Sequence, residues 1–174
     1  MKRILFTGTL MLVAAGMLFF PAPANAMEHQ KTGTVVYTQS VVDLRNAMRQ
    51  LWEEHIVYTR GFITSALAGL EDTGKVAERL LRNQDDIGNA IKPIYGEEAG
   101  KKLAALLRDH ILIAADIVTA AKAGDNDGVA KGQKRWAANA DDIAVFLSSA
   151  NPNWPVQSLK DMLYMHLAFT TTEV

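Results

Sequence analysis

Residues 44–70 read LRNAMRQLWEEHIVYTRGFITSALAGL, and their spacing decides the fold. Leu44, Met48, Leu51, Trp52, Thr59, Phe62, Ile63, Ala66 and Leu70 recur at steps of three and four, the period of one helix face. His55 falls on that stripe, where a helix bundle calls for leucine. An imidazole buried there is costly unless its nitrogens find partners. His110 and His166 repeat the situation. Each of the three follows an apolar residue three positions back (Trp52, Leu107, Leu163) and precedes Ile56, Ile111 or Leu167.

The same period runs through the rest of the chain. Ser40, with Asp43 three residues on, gives a capping-box-like start to the first helix. A second helix opens at Thr73, faces inward with Val76, Leu80, Asn83, Gln84, Ile87 and Ile91, and ends at Pro93, which disfavours helical geometry just before it. A third runs from Glu97 to about Ala123, and its two leading glutamates suit the positive N-terminal end. A fourth runs from about Asp127 to Ser149 with Trp136, Asn139, Ala140 and Ile143 inward. The stretch 151–155, Asn-Pro-Asn-Trp-Pro, is a rigid break in which Trp154 plugs one end of the core. A fifth helix then carries Leu159, Met162, Leu163, His166 and Thr170. No period-two run is long enough for a sheet, and the connections are short. The expected fold is an all-α, antiparallel up-and-down bundle of four to five helices over residues 40–174.

Ahead of it, residues 1–26 read as an export signal. Lys2 and Arg3 are basic, Ile4 to Phe20 is apolar, and Ala24-Asn25-Ala26 offers small residues for cleavage. The alternative is an uncleaved membrane anchor. The Ala-x-Ala ending favours cleavage, an extracytoplasmic location and no stable membrane insertion afterwards. Residues 27–39 read as a flexible polar arm holding His29, with Val35-Val36-Tyr37 too short for a confident strand. The formal charge of −1 becomes −3 once Lys2 and Arg3 leave, which gives no support for a nucleic-acid partner. Without cysteine there is no disulfide, thiolate metal site or covalently attached haem.

Helical rise gathers the polar stripe residues. At about 1.5 Å per residue, His55 lies about 22 Å from either end of its helix and His110 about 20 Å from either end of its own. Asn139 lies about 18 Å, Asn83 and Gln84 about 15–17 Å, and His166 about 16 Å along theirs. In an antiparallel bundle these heights agree to within a turn, so the residues form one layer.

Several occupants suit such a layer. His55, His110 and His166 with a water match an open metal site for zinc or copper, because neutral imidazole is a common ligand. Asn83, Asn139, Thr59, Thr170 and Asp141 would stand behind them to orient the rings. A flat cofactor such as b-type haem between two histidines, or a small-molecule pocket without metal, are alternatives. So is a hydrogen-bonded network that only fixes helix register in a structural or interaction module. A metal-assisted hydrolase would need a base, for which Asp141 is the candidate. The absence of Glu-x-x-His pairs argues against a ferritin-like di-iron centre. His-Glu-x-x-His, Gly-x-Ser-x-Gly and phosphate-cradling glycine loops are absent too. Asp125-x-Asp127 lacks the remaining ligands of a calcium loop and reads as a helix stop followed by a cap. Met48, Met162 and Met165 read as core filler.

An ordered set of stretches resembles a family of uncharacterised bacterial helical-bundle proteins. It comprises Leu51-Trp52-Glu53-Glu54-His55 with Thr59-Arg60, Arg79-Leu80-Leu81-Arg82-Asn83, Pro93-Ile94-Tyr95-Gly96, His110-Ile111 and Trp136-Ala137-Ala138-Asn139-Ala140-Asp141. Phe146-Leu147-Ser148, Asn151-Pro152-Asn153-Trp154 and Met162-Leu163-Tyr164-Met165-His166-Leu167 complete it. Members carry the labels glycosyltransferase and acetylglutamate kinase; those activities belong to α/β folds with nucleotide sites, which these residues do not encode. The resemblance also implies a further long helix after Thr170-Thr171-Thr172-Glu173, where this chain stops. A missing helix would leave an apolar groove for a second copy, hence a homodimer.

Overall fold

Turn residues divide the chain where the backbone requires it. In a computed structural model that describes residues 38–173, five helices follow in order. They are α1 (Gln39–Ala68), α2 (Thr73–Tyr95), α3 (Glu97–Lys122), α4 (Asn126–Ala150) and α5 (Val156–Thr171). The leader 1–26, the arm as far as residue 37, His29 and the Val35–Tyr37 segment lie outside the described residues. There is no strand among the described residues. The protein is an all-α bundle in which consecutive helices pack on one another.

Gly69 ends α1 in the left-handed region (φ 69°), where an L side chain would be strained. Its N–H reaches the Ala66 carbonyl and the Leu70 N–H reaches Ser65, closing the helix end. Lys122, the last residue of α3, donates from Nζ to the same Ala66 carbonyl at 2.6 Å, so one helix caps another. Asp125 caps α4 by accepting the Gly128 N–H at 2.9 Å, as its helix-cap reading requires.

Four expectations need correction. The first helix starts at Gln39 with Thr38 as its N-cap, and no side chain makes the cap bond. Asp43 instead takes the Gln39 amide at 2.7 Å. Pro93 does not end α2, which runs on to Tyr95 and stops at Gly96, whose N–H bonds the Lys92 carbonyl. A proline this close to a helix end removes one hydrogen bond, and the remaining turn holds. Leu70 lies beyond α1 and is exposed, and Met165 is exposed on α5 rather than filling the core.

Small residues set how closely the helices approach. A Cβ on Gly88 of α2 would sit 2.5 Å from the Gly100 carbonyl oxygen and 2.7 Å from the Ala104 Cβ of α3. A Cβ on Gly132 of α4 would sit 2.5 Å from Ile117 of α3. Around α3 the core gathers Ile87, Leu103, Leu107, Ile117, Trp136, Ala140, Ile143, Leu159, Leu163 and Leu167, with Trp154 packed at its edge. The two outer helices are less embraced. Helix α5 packs chiefly on α4, and α1 chiefly on α2. Between them, at mid-height, lies the polar layer. Among the described residues no helix is long and apolar enough to cross a membrane.

A histidine-lined cavity between α1, α3 and α5

The layer inferred from helical rise forms. His55 and His110 are buried, and Asn83, Gln84 and Asn139 are buried beside them. His55, His110 and His166 line one cavity of about 30 Å³, together with Thr59 and Thr170. Apolar side chains, Phe62, Leu80, Ile117 and Trp136 among them, complete its walls. Each histidine comes from a different helix (α1, α3 and α5).

Two of the rings are held from behind by amides. His110 Nδ1 lies 2.7 Å from Asn139 Oδ1, and Asn139 Nδ2 donates to the Leu106 carbonyl at 3.0 Å. His55 Nδ1 lies 3.3 Å from Gln84 Nε2, which also donates to the Leu80 carbonyl at 2.8 Å. Asn83 stands beside His55 as well and hydrogen-bonds it. It donates to the Leu51 carbonyl at 2.9 Å and accepts from Gln84 at 3.2 Å, so it steadies the residue that holds the ring. His166 is placed by ring contacts instead: 5.9 Å from His110, nearly parallel at 23°, and 6.4 Å from Trp136. Trp136 also leans on His110 at 5.1 Å, and Trp52 meets His55 edge-on at 5.3 Å. Both tryptophans sit on apolar stripes, so their spacing marked them as core without revealing that they clamp the imidazoles.

The remaining expected partners divide. Thr59 Oγ1 is buried with no hydrogen-bond partner. Thr170 bonds the carbonyl of His166 rather than its ring, at 3.0 Å. Asp141 does not orient a histidine. It accepts from Tyr164 Oη at 2.7 Å and pairs with Lys160 Nζ at 3.0 Å, both on α5 near the surface. Two residues on from Asn139, it is turned about 200° around α4, away from the layer.

The layer is uncharged at neutral pH. Burial pushes His55 from the usual 6.5 down to about 4, and repulsion from a charged His166 adds to this. Burial pushes His110 down to about 3, although its bond to Asn139 acts the other way. Burial lowers His166 as well. Among the described residues no aspartate, glutamate, lysine or arginine lines the cavity. Among the described residues no three His, Asp or Glu side chains are grouped to hold a metal ion. The stacking of His110 on His166 explains this in part, because ring lone pairs lie in the ring plane and parallel faces do not converge on a shared ion.

No family model, curated protein or solved structure matches this chain.

Proposed function

We propose that this protein acts outside the cytoplasm as a binding protein whose ligand site is the cavity shared by His55, His110 and His166. The signal-like residues 1–26 support the location. One observation carries the binding reading: three imidazoles from three helices surround a void of about 30 Å³. At about 24 cal/mol per Å³ an empty void of this size costs roughly 0.7 kcal/mol, which a layer serving only packing would save by closing. The neutral walls favour an uncharged occupant over an ion. Zinc and copper are the ionic alternatives to be tested against it.

The test is protein purified without chelator or affinity tag. Native mass spectrometry and elemental analysis read what it retains. Thermal melts then follow the addition of zinc, copper or small polar molecules. Saturation at a hundredfold over Kd adds about 2.7 kcal/mol, which a melt resolves. A retained occupant, or a rise in Tm with one compound, supports the reading. No occupant and no shift with any of them overturns it.

A second reading rests on Asn139. This side chain of α4 bonds both a ring and a backbone carbonyl of α3, so it fixes the register of the two helices. On this reading the layer is structural, and filling the cavity with apolar side chains raises stability without loss of any binding. Association of two copies over the exposed Met165 and Phe169 of α5 is an accompanying proposal. A dimer in analytical ultracentrifugation supports it and a monomer overturns it.

A further inference from the structure

The cavity has a buried floor and a half-buried edge. Ile111, Ile117 and Val118 of α3 and Trp136 of α4 are buried on its wall. Thr59 of α1 and His166 and Thr170 of α5 line it too, and all three are half-buried. Helices α1 and α5 pack chiefly on α2 and α4 and scarcely on one another, so the cavity opens between them. Its floor is hydrocarbon and aromatic ring. The amides that hold the rings, Asn83, Gln84 and Asn139, are not part of the wall. His110 lies nearly parallel to His166 and stacks on it, and the Thr59 hydroxyl oxygen is itself buried. A trapped water needs two to four polar partners, and such a wall supplies few of them. An ion finds no countercharge there among the described residues.

We propose that the cavity receives the alkyl end of a small neutral molecule, about two carbons deep, while the polar end of that molecule stays in water between α1 and α5. The proposal rests on the binding reading above and adds the class of the ligand and the direction in which it enters. Size agrees, since about 30 Å³ is the room of roughly two water-sized spheres, close to a methyl and a methylene. Affinity sets the rest. A guest of two heavy atoms binds no tighter than on the order of 5 mM, so a tighter ligand has atoms beyond the mouth. Direction follows from burial, because the hydrocarbon floor lies against α3 and α4 and the half-buried residues are those of α1 and α5.

The test uses the full chain at pH 7 with ¹³C-labelled isoleucine, leucine and valine methyl groups. Acetamide, propionamide, butyramide, malonamide and zinc chloride are titrated separately. The expected result is saturable shifts of the Ile111, Ile117 and Val118 methyls with the alkyl amides and none with malonamide, which is polar at both ends, or with zinc. Affinity should rise about fourfold from acetamide to propionamide, equivalent to about 0.8 kcal/mol for the added methylene, and little further to butyramide. Ala114→Leu fills the space from its wall and should abolish the response, and Ala114→Val serves if that variant fails to fold. Equal affinities for acetamide and propionamide, a response unchanged in these variants, or saturable shifts with malonamide or zinc in place of the alkyl amides overturn the alkyl class while leaving a binding protein. No saturable response to any of the five probes overturns the binding reading and this proposal together.

Discussion

His110 Nδ1 and Asn139 Oδ1 stand 2.7 Å apart inside the bundle, and through them α3 and α4 share a buried polar bond. Removing only one partner strands the other. His110→Leu leaves the Asn139 oxygen buried and unpaired and is expected to cost about 1–3 kcal/mol. The double variant His110→Leu/Asn139→Leu removes both groups and should lie closer to wild type than the two single effects summed. A denaturant-unfolding double-mutant cycle checks this, and additive losses would contradict it.

Acid should destabilise the protein through the same layer. His55 and His110 titrate at about 4 and about 3 in the fold, against 6.5 for a free imidazole. Between those values the unfolded chain binds more protons than the folded one, so stability is complete above pH 6.5 and declines as pH falls. Each such histidine costs up to about 1.4 kcal/mol per pH unit, so the pair removes about 4 kcal/mol by pH 5. Urea unfolding at pH 7.5 and pH 5 measures the difference. A flat profile over that range would mean the imidazoles are not buried neutral.

Glycines test the helix contacts. Gly88→Ala places a methyl 2.5 Å from the Gly100 carbonyl and should destabilise by about 2 kcal/mol through overpacking. Gly74→Ala, also in α2, meets nothing within 4 Å and should stabilise by about 0.4–1 kcal/mol. Opposite signs in the two melting shifts are the expected outcome. Equal shifts would contradict the close α2–α3 approach.

Asp141 should be separable from the layer. Its partners are Tyr164 and Lys160 at the surface. Asp141→Ala is expected to change stability little, as the loss of exposed pairs does. It should leave the NMR signals of His55, His110 and His166 in place, and a shift in any of those rings would restore Asp141 to their support.

Much of this arrangement is readable from the chain. The steps of three and four, with the Asn-Pro-Asn-Trp-Pro break, mark out five helices. Rise per residue then brings His55, His110, His166, Asn139 and the Asn83-Gln84 pair to one height. Azimuth and contact are harder to read. Asn83 and Gln84 are neighbours about 100° apart on α2, and both are buried, so spacing does not tell that both meet His55. Asp141 fails for the same geometric reason, since closeness in sequence to Asn139 places it on the far side of the helix. Pro93 misleads because its cost depends on how much helix follows it.

The most direct measurement is a high-resolution crystal structure at pH 7, refined for what lies between the three rings. The account predicts His55, His110 and His166 facing one space, Asn139 and Gln84 bonded to His110 and His55, and ordered density for a small molecule within that space. A collapsed or dry space, or any of the three imidazoles turned out to solvent, would contradict it.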